Sequence, residues 1–192
     1  AIALMFALAR QLPAADRSTQ AGKWEKNRFL GVELTGKTLG IVGCGNIGSI
    51  VADRALGLRM KVVAYDPYLS PERARELGVE KVDLDHLFAR ADFITLHTPL
   101  TDATRNLIDK GALAKMKRGV RIINCARGGL IVEEDLKAAL ESGQVAGAGL
   151  DVFPVEPAKT NILFGRDEVI CTPHLGAATG ESYISFSITF KT

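Results

Sequence analysis

The chain has 192 residues, enough to bury a substantial core as one large domain or two small ones. Hydrophobic residues make up 47% and charged residues 24%, the balance of an ordinary globular protein, and 24 Lys plus Arg against 22 Asp plus Glu leave a net charge of only +2. That balance, with the basic residues scattered, argues against a nucleic-acid surface, and Cys44, Cys125 and Cys171 have neither paired nor metal-type spacing.

The opening AIALMFALAR is apolar, too short to span a bilayer and without a basic segment before it. It predicts a buried helix rather than a signal peptide or membrane anchor. Its apolar pattern is already running at residue 1, so the chain is expected to begin partway through a larger protein. A polar connector, DRSTQAGKWEKNRF, follows.

From there short Val/Ile-rich runs alternate with helix-period segments. A strand is predicted over 38–43, then a helix over 46–58 with Ile47, Val51 and Leu58 on one face. A second strand at 61–66 leads to a helix capped by Ser70, with Pro71 at its first position and Gly78 as its stop. Next come a helix over 84–90, a strand over 92–97, a short helix over 111–117 and a strand over 120–125. A helix over 133–142 ends at Gly143, and strands at 145–152 and 168–173 complete the set. Nearly continuous apolar strands alternating with helices imply an α/β fold: a doubly wound, Rossmann-type, mostly parallel sheet with helices on both faces. The three cysteines lie in its apolar runs, which fits free thiols in a reducing compartment, the cytoplasm.

Gly43-Cys-Gly-Asn-Ile-Gly48 matches G-x-G-x-x-G, a weak pattern alone but a mechanical one between a strand and a helix. Gly43 would allow the tight turn, Gly45 the approach of a pyrophosphate, and Gly48 the packing of helix on sheet. Amides near Asn46 and Ile47 would face the phosphates from the helix amino end. Asp66, ending the second strand in AYDPY, suits the two ribose hydroxyls and repels a 2′-phosphate. No Arg or Lys follows it within five residues, so NAD is favoured over NADP as cofactor.

Three further features fall at predicted strand ends, where open α/β sheets bind ligands: Arg127 in RIINCARGGLI, Glu156 in DVFPVEP and His174 in CTPHLGAAT. An arginine beside glycines at the lip of the core suits a flat carboxylate held by two hydrogen bonds, though such residues are often surface pairs. Taken alone, His174 would be a loop histidine and Glu156 a solvated turn carboxylate. Their order behind the glycine fingerprint reverses that reading.

With the segments GKWEKNRFLGVELTGKTLGIVG, LHTPLT, NCARGG, DVFPVEP and TPHLGAAT in this order, the chain from residue 1 to about 179 resembles the D-2-hydroxyacid dehydrogenases. The NCARGG form points to the branch acting on 3-phospho-D-glycerate. The resemblance implies a catalytic trio of Arg127, Glu156 and His174. His174 would exchange the hydroxyl proton while hydride passes to nicotinamide. Glu156 would orient the imidazole, and Arg127 would hold the carboxylate of an anionic 2-hydroxy or 2-keto acid and polarise its oxygen.

It further implies cofactor contacts at Thr98, Cys125, Ala126, Asp151 (toward the nicotinamide amide), Leu175, Gly176 and Ala177. It also implies that 1–179 is an NAD-binding domain entered through an interdomain helix over 1–12, that the substrate domain is largely absent, and that the domain pairs as a homodimer. Cys44 stands where an aliphatic residue is usual and Asn46 where Arg is usual, which puts one phosphate contact in doubt. After Thr179 the chain departs from the family pattern: Ile184, Phe186, Ile188 and Phe190 alternate with polar residues in a strand-like way, with no assigned role. The alternatives left open are a glyoxylate/hydroxypyruvate or other D-2-hydroxyacid reductase, and an NAD-responsive binding module of the corepressor type.

Overall fold

The computed structural model describes residues 1–180. Seven strands form one parallel sheet: β1 (Thr38–Val42), β2 (Lys61–Tyr65), β3 (Glu80–Lys81), β4 (Phe93–Leu96), β5 (Val120–Asn124), β6 (Val145–Leu150) and β7 (Val169–Cys171). Their spatial order is β3-β2-β1-β4-β5-β6-β7. The order reverses between β1 and β4, so the crossovers leave a crevice there at the carboxyl edge. The helices are α1 (Ile2–Arg10), α2 (Leu12–Gln20), α3 (Asn46–Gly57), α4 (Pro71–Leu77), α5 (Leu84–Arg90), α6 (Lys110–Lys115) and α7 (Glu133–Glu141).

Period-two alternation divides the apolar strand residues between two cores. Leu39 and Ile41 of β1, Phe93 of β4 and Ile123 of β5 join Leu4, Met5 and Leu8 of α1 and Val51 and Ala55 of α3 on one face. Val42, Ile94, Leu96 and Ile122 join Leu87, Phe88, Leu113 and Leu136 of α5, α6 and α7 on the other. Each fully buried Leu, Ile or Phe contributes about 1.5–3 kcal/mol, so a sheet covered on both sides is the stable arrangement for strands this apolar. Helix α1 lies across β6 closely because Gly149 has no side chain; a Cβ there would sit 3.1 Å from Leu4 and 3.3 Å from Leu8.

The helix signals work as their chemistry requires. The Ser70 hydroxyl accepts from the Arg73 amide at 3.1 Å, and Gly78 closes α4 at φ 70°. The Asp83 and Asp109 side chains cap α5 and α6 in the same way. Three points differ from the sequence reading. Helix α2 runs into the start of the connector, set off from α1 by Gln11 at φ 51°, with Pro13 unable to donate the amide that a continuous helix would need. The short β3 was not foreseen, because its two residues are exposed and carry no apolar alternation. Ile47 is 62% exposed, so it does not share the buried face of α3, which Gly48, Val51, Ala52 and Ala55 make instead.

The predicted strands at 145–152 and 168–173 shorten to β6 and β7, and the residues after them form the loops described below. The strand-like alternation beyond residue 180 lies outside the described residues. Among the described residues no helix is long and apolar enough to cross a membrane, and no three His, Cys, Asp or Glu side chains gather as a metal would need.

Candidate active site

Every sequence-predicted site residue sits on a segment following the carboxyl end of a strand. Gly43 follows β1, Asp66 β2, Thr98 β4, Cys125 to Arg127 β5, Asp151 and Glu156 β6, and His174 to Ala177 β7. One parallel sheet therefore delivers them all to one edge.

On the crevice side the site is made of backbone. The Gly43 amide donates to the Tyr65 carbonyl at 2.8 Å, and φ is 89°. A Cβ on Gly43 would lie 2.7 Å from the carbonyl carbon and oxygen of His97 and 2.9 Å from the Thr98 nitrogen. A Cβ on Gly48 would lie 2.1 Å from the Gly43 carbonyl oxygen. Both glycines are therefore demanded by close approach of backbone, one of strand to strand and one of helix to turn. At Gly45 a Cβ would meet nothing within 4 Å. The space over the turn is open, and the first amides of α3 point there without intrahelical acceptors.

Asp66 reaches back to this turn. One oxygen accepts from the Cys44 amide at 2.8 Å and the other from the Tyr68 amide at 2.8 Å. Cys44 packs in the core beneath, which explains how it serves where an aliphatic residue is usual. Burial, helped by the Asp66 charge, pushes its thiol up. Burial likewise raises Cys125, and Cys171 is pushed up to about 11. All three cysteines are free thiols held in the protonated form at neutral pH. The open volume, the unspent amides and a carboxylate one strand away fit a dinucleotide.

On the other side the site is made of side chains. His174 Nδ1 and Glu156 Oε2 are 2.8 Å apart, and Glu156 Oε1 accepts from the Phe153 amide at 2.9 Å. These two bonds hold the Glu156 carboxyl below its usual range, the imidazole contact first. His174 has φ 54°, a left-handed conformation that costs a non-glycine residue about 1–2 kcal/mol. Its amide donates to the Thr172 carbonyl at 3.0 Å. Asp151, 3% exposed, secures the loop: its Oδ1 accepts from Thr172 Oγ1 at 2.5 Å and from the Leu175 amide at 2.7 Å, and its Oδ2 from the Gly176 amide at 2.9 Å. Ala177 lies beyond, in an exposed turn.

Arg127 is exposed and, among the described residues, donates only to the Ala126 carbonyl, at 2.6 Å, so its guanidinium is hydrogen-bonded to neither Glu156 nor His174. Its backbone is fixed more firmly. Asn124, 2% exposed, donates from Nδ2 to the Arg127 carbonyl at 2.9 Å and accepts at Oδ1 from the Ala126 amide at 3.0 Å. Immediately after Arg127, a Cβ on Gly128 would lie 2.0 Å from the Phe153 carbonyl oxygen, so the arginine loop and the Glu156 loop are pressed together. A cavity of about 540 Å³ opens beside the pair, walled by Phe153, Glu156, Phe164, Cys171, Pro173 and His174. Phe153 and Phe164 meet edge to face at 5.4 Å.

Sequence reasoning missed Asn124 and Thr172. An amide closing an otherwise apolar strand was a usable signal for Asn124, since buried polar groups need partners. Nothing local marked Thr172, whose partner is 21 positions away. His97 and His86 stay outside the pair. His86 is exposed and meets Asp83 at 2.6 Å, while His97 Nε2 lies 2.9 Å from Thr95 Oγ1 and burial lowers its pKa to about 4.

Fold and geometry together fit a dinucleotide-binding unit. The family described as D-isomer specific 2-hydroxyacid dehydrogenase, NAD binding domain, matches residues 2–176, and the chain belongs to that family. It is 52% identical over 188 residues to the D-3-phosphoglycerate dehydrogenase of Synechocystis sp., covering 98% of this chain and 34% of that protein. It is 50% identical over 186 residues to the protein of the same name from Archaeoglobus fulgidus, covering 96% and 35%. Among solved structures, a glyoxylate reductase from Paecilomyes thermophila superposes with a TM-score of 0.91 at 40% identity, over 98% of this chain and 57% of that one. The chain spans about a third of the length of the curated relatives it matches.

Proposed function

We propose that this chain is the cofactor-binding and catalytic-residue portion of an NAD-dependent enzyme that oxidises 3-phospho-D-glycerate to 3-phosphohydroxypyruvate, an early step toward serine. The observation that carries the reading is the Glu156–His174 pair, at 2.8 Å, on the same sheet edge as the glycine turn. The relatives named for phosphoglycerate dehydrogenase support the choice of substrate.

Gly43, Gly45, Asn46, Ile47 and Gly48 would cradle the pyrophosphate, with Asp66 on the adenosine ribose. Thr98, Cys125, Ala126, Asp151 and Leu175 to Ala177 would line the nicotinamide end. When bound there, NAD supplies the hydride acceptor. His174 takes the hydroxyl proton of the substrate at its Nε2, because its Nδ1 is committed to Glu156. Glu156 fixes the ring's direction and offsets the charge it gains, while its second oxygen is anchored to the Phe153 amide. Arg127, with no acid partner among the described residues, would clamp the substrate carboxylate with two parallel hydrogen bonds and steady the oxygen on the reacting carbon. Asp66 disfavours a 2′-phosphate, so NADH is the cofactor of choice.

The same reading assigns 1–179 to the NAD-binding domain and expects a homodimer through it. Three protonated thiols suit the cytoplasm.

Because the substrate domain is expected to be largely absent, the chain by itself should be weakly active or inactive. Titration of the chain with NADH and NADPH, followed by cofactor fluorescence, and turnover of a keto-acid panel by the chain joined to a substrate domain test the proposal. Tighter binding of NADH and a preference for 3-phosphohydroxypyruvate support it. Preference for glyoxylate or hydroxypyruvate would move the substrate assignment within the family, and NADH binding without turnover of any 2-keto acid would favour a binding module.

A further inference from the structure

We propose that Thr172 is a positioning residue for His174, acting through Asp151. The inference rests on the dehydrogenase reading and adds to it a residue whose hydroxyl is turned to Asp151.

Thr172 is the first residue beyond β7, and its amide donates to the Leu150 carbonyl at 2.9 Å, which locks it to the end of β6. From that fixed point it makes two bonds that bear on the histidine. Its carbonyl accepts from the His174 amide at 3.0 Å, closing a three-residue turn. Its hydroxyl donates to Asp151 Oδ1 at 2.5 Å. Asp151 also holds the amides of Leu175 at 2.7 Å and Gly176 at 2.9 Å, so one buried carboxylate grips the loop on both sides of residue 174.

The two backbone donors would be supplied by any residue at 175 and 176. Among the described residues the hydroxyl of Thr172 is the one side-chain donor that Asp151 has, and so the one sequence-encoded part of the grip. His174 needs it because its backbone, at φ 54°, is in a conformation that an L-residue leaves unless it is held. Glu156 fixes the direction of the ring and not the place of its Cα, since it touches only the imidazole of His174. Direction comes from residue 156 and place from residue 172. Loss of the hydroxyl would let the loop settle into an ordinary conformation and carry the imidazole off the reacting proton.

The test compares Thr172→Val, which keeps the shape and removes the donor, with Thr172→Ser, which restores the donor. In NADH-dependent reduction of 3-phosphohydroxypyruvate, Thr172→Val should lower kcat by about tenfold to hundredfold, the scale expected for misplacing a catalytic group. KM for the keto acid and the dissociation constant of NADH should stay within about threefold of wild type, below the tenfold that 1.4 kcal/mol would produce. Thr172→Ser should recover most of the loss.

Wild-type kcat in the valine variant would overturn the proposal. So would a serine variant as poor as the valine one, or a loss confined to NADH affinity, which would make Thr172 a cofactor-site residue. If the wild-type chain turns over no keto acid even when joined to a substrate domain, the dehydrogenase reading fails by itself. The positioning claim is then decided by NMR of the imidazole Hε1–Cε1 signal: a shift in Thr172→Val reversed in Thr172→Ser upholds it, and an unmoved signal sinks it.

Discussion

The two halves of the candidate site are built from opposite materials. At the crevice, Gly43 and Gly48 act through the side chains they lack, and two backbone segments touch where any Cβ would collide. At the other end, Asp151, Glu156 and Thr172 act through side chains that bond to loops far along the sequence, and Asn124 through one that fixes the loop directly after it. The first half is rigid because there is no room. The second is rigid because its polar groups are satisfied, and none of the buried side-chain polar atoms among the described residues lacks a partner. A half held by exclusion should fail by unfolding, whereas a half held by hydrogen bonds should fail by misplacement.

The largest expected effect is on the second half. His174→Ala should lower kcat for 3-phosphohydroxypyruvate by about 10²–10⁴, the usual contribution of a positioned acid–base group. The melting temperature should change little, because His174 is exposed and its left-handed backbone is relieved of no packing. Steady-state kinetics beside a thermal melt checks both, and a protein that loses activity only by unfolding would erase the contrast.

Next come the glycines. Gly48→Ala should destabilise the fold by about 3 kcal/mol, as overpacking against rigid backbone does, since the new methyl would stand 2.1 Å from the Gly43 carbonyl oxygen. Gly45→Ala should stay within about 0.5 kcal/mol of wild type, because φ is −74° and nothing lies within 4 Å of the new methyl. NADH affinity should nevertheless fall, since that methyl occupies the space a pyrophosphate needs. Chemical denaturation and NADH titration on the two variants separate the glycine that builds the turn from the one that serves the ligand.

This division also decides what was legible in the sequence. The backbone-made half announces itself locally: a glycine pattern between strand and helix, and Asp66 ending the next strand, need no knowledge of distant partners. Strand burial was equally plain, since neighbours such as Phe93 and Ile94, buried on opposite faces of the sheet, leave continuous apolar runs. The side-chain half was legible only in its chemically loud members. Arg127, Glu156 and His174 stood out by type, and the family resemblance ordered them. Asn124 is quiet because it acts on the backbone of the loop directly after it, and Thr172 because its partner, Asp151, is one that folding brings up. For the same reason α2 was missed: its polar residues wet a surface helix whose start is set by a left-handed residue, Gln11.

The region between the halves supplies a pH test. His97 follows β4 beside the glycine turn, and burial depresses its pKa from 6.5 to about 4. The unfolded chain therefore takes up a proton near pH 6.5 while the folded one does not until near pH 4. Stability should fall as pH drops through that window, by about 3 kcal/mol at its foot, at 1.36 kcal/mol per unit. His97→Gln should flatten the acid limb of a urea-midpoint profile between pH 6.5 and 4. A variant with the same limb as wild type would move the acid sensitivity elsewhere.

The smallest effect on stability belongs to Glu156, and it sharpens the contrast most. Its carboxyl is held below the usual range by His174 and the Phe153 amide, so the stabilisation it gives is complete above the ordinary glutamate value and disappears as pH falls through the lowered one. The pair is partly exposed, with side chains 50% and 35% accessible, and an ion pair in such a setting adds only about 0.2–1 kcal/mol. Glu156→Gln should therefore leave the urea midpoint at pH 7 nearly unchanged, with the small difference closing in acid. Its kcat should still fall by an order of magnitude or more, because the amide no longer fixes and balances the imidazole during proton transfer. Equal losses of stability and turnover would mean that this half, too, is held by packing, and that its hydrogen bonds only accompany a loop already fixed by shape.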